Sequence, residues 1–361
     1  MASSFPLSQI SSAFVTGATG LLGNNLVRLL VSRGVRVKAL VRSRQSAEKQ
    51  FAGLDVDIVL GDMRNVAAFA PRLHGTDVLF HTAAYFRDNF KGGRHKKDLY
   101  EINVLGTADL LSHAYSAGIR KVVHTSSTSV LTGPPNTLID ETMRLAPGEA
   151  DDYPQSKILS DREVDQFLLR YPEMSACMVL PGWIVGPGDS GPTSSGQLIL
   201  DFLKRKIPGI PPADFSIVDA RDVAEAMWAA ALKGRRGERY IAAGHHIEMS
   251  AVFALLEKLS DVPAPKRNTP IALLYMLAAA NELWHTISGK PALISLASVR
   301  FMIRERNRTY YNHDKSEREL GIHFRPIEET LRDTIAWYER NGWCNDLANS
   351  KSRMHAAGES I

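Results

Sequence analysis

A glycine-rich turn close to the amino terminus places the strongest constraint on what this chain can fold into. Gly17, Gly20 and Gly23 follow a short apolar run and open a segment of helical periodicity, a context that raises the motif above chance. The absence of side chains lets the backbone approach a pyrophosphate, whose charge sits at the helix amino terminus. The alternative is a tight strand–helix turn that holds no ligand. The whole turn reads Thr16-Gly17-Ala18-Thr19-Gly20-Leu21-Leu22-Gly23.

Apolar runs alternate with helical segments after this turn, which indicates parallel βαβ units. The fold class that we predict is α/β, a Rossmann-type doubly wound parallel sheet with a smaller, helix-rich carboxyl-terminal substrate lobe. Strands are predicted at residues 13–16, 35–41, 57–60, 78–81, 121–125 and 176–180. Helices are predicted from Leu22 to near Gly34 and over residues 98–116, 154–169 and 222–232.

The composition changes after Pro181, where Gly186-Pro187-Gly188 and Gly191-Pro192 exclude a regular helix. Residues 1–185 are expected to form a dinucleotide-binding Rossmann domain, and residues 215–243 to return to its sheet through strands near 215–218 and 240–243. A substrate-binding lobe is predicted over residues 186–214 and 244–345, followed by a flexible tail over 346–361.

The bulk composition limits the classes of partner. A net charge of +4 over 361 residues is too small to indicate nucleic-acid binding, and the basic run over 87–97 contains Asp88 and reads as a solvated loop. Cys177 and Cys344 lack metal-ligand spacing, so no metal site is predicted, and a reducing cytoplasm fits. The apolar run over 271–280 is about half of a bilayer span, which predicts a packed helix and no membrane span.

The residues around the predicted nucleotide site favour NADP(H) over NAD(H). The second strand does not end in an acid that could bond a ribose hydroxyl of NAD; Arg42 and Arg44 stand there instead and could bind a 2′-phosphate. The alternative is that both arginines belong to a solvated loop. Further candidate cofactor contacts, for which a capped turn or simple helix–sheet packing is the alternative, are Asp62, Met63, Ala83 and Ala84.

Tyr153 and Lys157 are the candidate catalytic pair. Four residues apart on a helix, they share a face one turn apart. A nearby ammonium and an oxidised nicotinamide ring would lower the tyrosine pKa from its ordinary value of about 10, so that the phenol can act as acid and base near neutral pH. Lys157 could also hold the nicotinamide ribose. Taken alone, a tyrosine and a lysine at this spacing usually form a surface pair.

A cluster of hydroxyl side chains ends the fifth strand, at the edge of the sheet where open α/β proteins bind ligands. It reads His124-Thr125-Ser126-Ser127-Thr128-Ser129. A hydroxyl here can bond a substrate carbonyl and stabilise an alkoxide. The alternative is a cluster that satisfies backbone groups at the strand end. His124 is expected to pack within the strand.

With these motifs the chain resembles the extended short-chain dehydrogenase/reductase superfamily over about residues 13–343. Further matching motifs are Ile102-Asn103-Val104-Leu105-Gly106-Thr107, Val130-Leu131-Thr132-Gly133 and Val218-Asp219-Ala220-Arg221-Asp222-Val223-Ala224. The resemblance implies Ser127, Tyr153 and Lys157 as the catalytic residues, and a nicotinamide environment formed by Thr125, Pro181, Gly182 and Ile184. Val41-Arg42 resembles the dihydroflavonol reductase-like branch, in which this arginine meets the NADP phosphate.

The predicted function is NADP(H)-dependent reduction of a ketone or aldehyde, or oxidation of the alcohol, with Tyr153 as the acid/base. The alternatives are a nucleotide-sugar epimerase or dehydratase with bound NAD, and a redox-sensing regulator that binds NADP without turnover. Candidate substrate contacts are Tyr85, Phe86, Ser127, Thr128 and Trp183, and candidate substrate gates are residues 85–98 and 186–215. Helices over 98–116 and 154–170 could pair across a two-fold axis in a homodimer.

Overall fold

The parallel sheet that the alternating pattern predicts is present. The computed structural model describes residues 10–86, 95–288 and 295–344. Its strands are β1 Ser12–Thr16, β2 Arg36–Val41, β3 Val56–Leu60, β4 Val78–His81, β5 Lys121–Thr125, β6 Ser175–Pro181, β7 Trp183–Val185, β8 Asp214–Asp219, β9 Arg239–Ala242 and β10 His245–Glu248. Seven of them form one sheet in the order β3-β2-β1-β4-β5-β6-β9, and every neighbouring pair is parallel. The predicted fold class and the first six predicted strands are confirmed.

Helices connect these strands and supply the rest of the described fold. In chain order they are α1 Leu21–Ser32, α2 Arg44–Gln50, α3 Lys96–Leu99, α4 Gly106–Ser116, α5 Asp152–Arg170, α6 Ser194–Leu203, α7 Ala220–Lys233, α8 Met249–Ser260, α9 Ile271–Ser288, α10 Leu296–Glu305, α11 Asp314–Leu320 and α12 Ile327–Arg340. The predicted left-handed residue after α1 is confirmed, because Gly34 has a φ of 75°. The single regular helix predicted over 98–116 is instead α3 and α4 joined by a π-helical segment, Tyr100–Leu105.

Alternate residues of each central strand face opposite sides of the sheet, so one strand contributes to two cores. Ala13 and Val15 of β1 pack with α1 and α7 on one side. Phe14 between them packs with α4 and α5 on the other side. A third core joins α6, α8 and α12 to the short strands β7 and β8. Because both faces of the sheet are covered, its carboxyl edge is the part left to form a cleft.

One predicted strand joins a different sheet from the one expected. The return near residues 240–243 is confirmed as β9, but the return near 215–218 is wrong. Strand β8 pairs with β7 in parallel and with β10 antiparallel, in a separate three-stranded sheet. A side chain at Gly182 would collide with the backbone oxygens of Ser216 and Ala243. Gly182 therefore lets β7 diverge from the line of β6 and present its edge to β8.

Helix α9 contains the longest apolar run, for which the sequence predicts a packed helix. It is helical, but only Leu274 and Ala278 within it are fully buried, against Val299 of α10. The prediction of a packed helix is therefore wrong for most of its surface. Within the described ranges, no helix has both the length and the apolar character needed to cross a bilayer. The predicted tail over 346–361 and residues 87–94 of the basic run lie outside the described residues.

Replacing Leu26 by Ala is expected to destabilise the fold. Leu26 on α1 is fully buried, so its truncation should cost about 2–5 kcal/mol of unfolding free energy through lost burial and a cavity. The same change at Leu169, which is 84% exposed, should cost less than about 0.5 kcal/mol. Urea denaturation followed by circular dichroism measures both. Equal midpoints for the two variants would contradict the position given to α1.

Candidate active site

The glycine turn is closed by backbone contacts that exclude side chains. Gly17 has a φ of 65°, and a Cβ there would lie 2.7 Å from the Cα of Ala83 at the end of β4. A Cβ on Gly23 would lie 2.2 Å from the Gly17 carbonyl oxygen. Both contacts are shorter than packing tolerates. The turn can therefore adopt this conformation against Ala83 only with glycine at positions 17 and 23.

Helix α1 begins directly after this turn with its first N–H groups free of a side-chain cap. Gly20 is the N-cap residue and makes no capping hydrogen bond, and the first turn of α1 carries no acid. Leu21 and Leu22 are buried, so they fix the helix end against the sheet, while Thr19 is half-buried. An uncapped helix terminus of positive dipole is suited to an anion. The turn therefore fits the pyrophosphate of a dinucleotide.

The end of β2 presents cations rather than an acid. Arg42 follows the strand and is exposed, and Arg44 opens α2 with its guanidinium 3.9 Å from Glu48. Ser43 between them caps α2 by accepting a hydrogen bond from Ser46 N. The end of β2 lies beside the glycine turn, because Ala18 N donates to the Leu40 carbonyl. Their predicted contact with a phosphate stays a prediction.

The ends of β3 and β4 complete the rim of the candidate cofactor site. Asp62 accepts a hydrogen bond from Arg64 N at 2.9 Å. This is the capped turn that the sequence offered as the alternative to a cofactor contact. Met63 is buried against Gly106 of α4. Ala83 N donates to Thr16 Oγ1, which ties β4 to the glycine turn, and Ala84 is exposed. A flat ligand can therefore pass Ala83 and Ala84 without meeting a long side chain.

Tyr153 and Lys157 lie on the first two turns of α5, as the four-residue spacing predicts, and both are buried. The Tyr153 phenol lies beside the Ser127 hydroxyl, close enough for Ser127 to affect its pKa. Lys157 Nζ donates to the Thr125 carbonyl at 2.6 Å. The structure therefore brings the three predicted catalytic residues together at the carboxyl end of β5.

In the protein alone, burial is the main influence on the pKa values of both Tyr153 and Lys157. Burial raises the pKa of Tyr153 well above its ordinary value, while the neighbouring Ser127 acts in the opposite direction. Burial lowers the pKa of Lys157 to about 8, and the Asp161 carboxylate partly opposes that change. In the protein alone the phenol is therefore protonated at neutral pH, and the lowering of its pKa by Lys157 together with an oxidised nicotinamide ring stays a prediction.

The hydroxyl cluster after β5 divides between the cleft and the protein interior. Ser127 caps a short 3-10 turn, Thr128–Val130, and its Oγ accepts hydrogen bonds from Ser129 N and Ser129 Oγ. The Thr128 side chain is buried beside Tyr311. Ser127 is thus aimed at Tyr153, whereas the substrate contact predicted for Thr128 stays a prediction.

Beneath the catalytic residues lies a buried polar network that the sequence analysis missed. His81 bonds Thr16 Oγ1 at 2.7 Å and Thr107 Oγ1 at 2.9 Å, and Ser160 Oγ lies 3.2 Å from the same Thr107 hydroxyl. His124 packs within its strand as expected, 3.4 Å from Asp161. Burial lowers the pKa of both histidines, so they are neutral at neutral pH. The sequence signal of this network is weak because its members lie on five different elements.

Asn103 is a second residue whose role the sequence analysis did not identify. Its side chain bonds the backbone N–H and carbonyl of Tyr85 and also the Ser156 hydroxyl of α5. Phe86 next in the chain packs edge-on against the Tyr153 ring, with centroids 4.8 Å apart. Asn103 therefore fixes the segment after β4 beside the catalytic tyrosine. The matching motif that contains Asn103 was the available signal.

On the opposite side of the cleft, Pro181 ends β6 and Ile184 lies half-buried in β7. Gly182 between them permits the close approach to β8 and β9 described above. Trp183 stacks on Phe215 with ring centroids 4.2 Å apart, so one face of its ring is occupied by the protein. The nicotinamide and substrate contacts predicted for these residues stay predictions.

A separate cavity of about 450 Å³ lies beside the third core, and none of the predicted catalytic residues lines it. Its polar lining includes Asp214, His246 and Arg306. The Asp214 carboxylate is already bound by Asn307 N and by His246 Nε2. This cavity therefore lies apart from the predicted catalytic residues.

Comparison with known proteins places the chain in a family. The model of the NAD dependent epimerase/dehydratase family matches residues 13–243. Sterol demethylase protein B of Methylococcus capsulatus is 33% identical over 92% of this chain and 99% of that protein. A Synechocystis protein with the provisional name of a dihydroflavonol 4-reductase is 31% identical over 91% of this chain and 95% of that protein. The 4-hydroxy-2-methyl-3-oxo-4-farnesyl-3,4-dihydroquinoline-1-oxide ketoreductase of Stigmatella aurantiaca is 30% identical over 89% and 95%.

Solved structures have the same fold. The crystal structure of gox2253 has a TM-score of 0.78 and 30% sequence identity, and the match covers 92% of this chain and 99% of that chain. MoeE5, solved in complex with UDP-glucose and NAD, has a TM-score of 0.70 at 21% identity over 91% and 99% of the two chains, which shows the fold alone. The chain therefore belongs to the NAD dependent epimerase/dehydratase family, within the extended short-chain dehydrogenases/reductases.

Proposed function

We propose that this protein is an NADP(H)-dependent oxidoreductase that reduces a ketone or aldehyde, or oxidises the corresponding alcohol. The observation that carries the proposal is that Tyr153 and Lys157 are both buried one helical turn apart on α5, with Ser127 beside the phenol, at the same sheet edge as the uncapped end of α1. The names of two relatives, a ketoreductase and a provisional dihydroflavonol 4-reductase, support carbonyl reduction.

The cofactor, held by the glycine turn and α1, would supply the hydride that reaches the carbonyl carbon. Ser127 Oγ holds the carbonyl oxygen by donating a hydrogen bond, and Tyr153 donates its phenolic proton to that oxygen as the C–H bond forms. The high pKa of the buried phenol suits this direction, because the proton is present at neutral pH. The Lys157 ammonium then stabilises the phenolate until it is reprotonated from solvent.

The preference for NADP(H) rests on the cations at the end of β2. Arg42 is exposed at the carboxyl edge of the sheet, beside the glycine turn, where no acid is present to bond ribose hydroxyls. A guanidinium forms paired, charge-assisted hydrogen bonds with a phosphate. Arg44 at the first position of α2 can add a second cation, since its contact with Glu48 at 3.9 Å is exposed and weak.

A nucleotide-sugar epimerase or dehydratase is the second candidate. The family's description favours it. The same Tyr153 would then act on a sugar hydroxyl, with no net consumption of cofactor. Following the absorbance of reduced cofactor against a panel of aldehydes, ketones and nucleotide sugars separates the two, because only the reductase consumes the cofactor.

Replacing Tyr153 by Phe is expected to lower kcat for carbonyl reduction by about 100- to 10,000-fold, because the proton donor is lost. The Kd for NADPH should remain nearly unchanged. Tyr310→Phe is the matched control, since Tyr310 is half exposed and lies outside the cleft. Stopped-flow or steady-state absorbance of NADPH measures both variants. An unaltered kcat in Tyr153→Phe would remove this residue as the acid.

Replacing Arg42 by Ala is expected to weaken NADPH binding by about 10- to 100-fold, since a charge-assisted hydrogen bond contributes about 1.5–3 kcal/mol. NADH binding should change little. Arg36→Ala is the control, because Arg36 is exposed at the opposite end of the same strand. Titration of each cofactor by fluorescence gives the four dissociation constants. Equal losses for NADPH and NADH would refute the phosphate contact.

The kcat/KM for reduction is expected to be constant near neutral pH and to fall as pH rises through about 8. Burial lowers the pKa of Lys157 to about 8, so its ammonium form is lost above that pH while Tyr153 keeps its proton. Lys157→Arg retains a cation at every pH of the measurement and should remove the fall. Persistence of the same fall in Lys157→Arg would assign it to another group.

A further inference from the structure

Helix α9 exposes an apolar surface that the rest of the described chain does not cover. We define the α9 surface by its exposed large apolar side chains, which are between 36% and 72% exposed: Ile271, Leu273, Tyr275, Met276, Leu277, Leu283, Trp284 and Ile287. Its one charged residue, Glu282, accepts a hydrogen bond from Leu296 N. Water-soluble proteins seldom leave so many large apolar side chains of one helix exposed unless something binds them.

Helix α10 holds α9 to the protein along a narrow line. Leu296 at the start of α10 lies beside Glu282, and Val299 shares a small core with Leu274 and Ala278. Helix α10 therefore runs back along α9, so the end of α10 and the start of α9 lie at the same end of this hairpin. The opposite faces of α9 point away from the protein.

Exposed cations lie before the start of α9 and along α10. Residues 262–308 contain seven lysines and arginines and two glutamates, a net charge of +5, whereas the whole chain has a net charge of +4. The rest of the chain is thus close to neutral. Lys266 and Arg267, just before α9, and Arg300 and Arg306, on and just after α10, are all exposed. An apolar helix with exposed cations at its base has the character of a helix that lies in a membrane interface.

We propose that the α9 surface docks on an anionic phospholipid bilayer, with α9 lying in the headgroup region and the exposed cations Lys266, Arg267, Arg300 and Arg306 contacting lipid phosphates. Burial of the apolar side chains in the acyl boundary and attraction between the cations and anionic headgroups act together. Such a helix lies on the membrane and does not span it. Tyr275 and Trp284 have aromatic rings of the kind that is enriched at this depth.

Charge selects the bilayer over a second copy of this chain. Two copies joined through α9 would bring two segments of charge +5 together, and like charges at an interface are repelled. An anionic surface has the complementary charge. The hairpin also adjoins the candidate active site, because Arg304 of α10 lies 3.2 Å from Asp151, two residues before Tyr153. The membrane-bound protein would then meet a carbonyl substrate dissolved in the lipid. This last step alone rests on the proposed reductase function.

Flotation with vesicles tests the docking. The full-length protein is expected to float with phosphatidylcholine vesicles that contain phosphatidylglycerol, and to bind pure phosphatidylcholine vesicles much more weakly. Leu283→Glu should reduce binding by about tenfold or more, because an exposed apolar side chain can no longer enter the lipid. Leu169→Glu is the matched control, since Leu169 is an exposed leucine on α5. Replacing Lys266 and Arg267 by Gln should weaken binding to anionic vesicles and reduce its dependence on salt.

The proposal is overturned if the wild-type protein stays with the soluble fraction, or if Leu283→Glu floats as well as the wild type. Light scattering after gel filtration provides a second check. The proposal is also overturned if the wild type is an oligomer and Leu283→Glu is a monomer. Turnover of a water-soluble ketone is measured alongside flotation, so that failure of the docking can be distinguished from failure of the proposed function. Loss of flotation with turnover intact is the result expected of Leu283→Glu. Flotation of a wild-type protein that reduces no carbonyl compound would refute the reductase function and leave the docking in place.

Discussion

Lys157 carries an ammonium group into the interior, and the architecture of the site depends on how that charge is stabilised. Its Nζ donates to the Thr125 carbonyl, and Asp161, one turn further along α5, supplies the opposite charge. Asp161 in turn accepts from Ser126 Oγ and lies 3.8 Å from Arg239 of β9. Removing one partner of a buried charge pair costs about 3–5 kcal/mol. These contacts therefore hold β5, α5 and β9 together close to Tyr153.

The local parts of this site could be predicted from the sequence, and its collective properties could not. The glycine turn and the spacing of Tyr153 and Lys157 depend on neighbours within a few residues, so their geometry follows from helix and turn rules. The direction of the Tyr153 pKa depends on burial by distant segments such as the one containing Phe86. The network of His81 and His124 likewise joins residues far apart in the chain. Such groups have no spacing by which a sequence could reveal them.

The two structural predictions that proved wrong have related causes. The apolar residues near 215–218 predict a strand, but they do not say which sheet the strand joins; the choice follows from the break at Gly182. The apolar run of α9 predicts a helix, and it is one, but an apolar composition is the same for a buried helix and for one that faces a lipid surface. Burial is decided by the rest of the fold, which offers α9 only the narrow seam of α10.

The π-helical segment between α3 and α4 shows how one continuous helix serves two neighbours. A π turn takes in one more residue than an α turn, so the angular phase of everything that follows is shifted by the equivalent of one position. Within the π-helical segment, the Asn103 side chain bonds the Tyr85 backbone and Ser156 of α5. After it, Leu110 and Leu111 still face the sheet and Gly106 passes close to Met63. A uniform helix of this length would have to give up one of these alignments to keep the other.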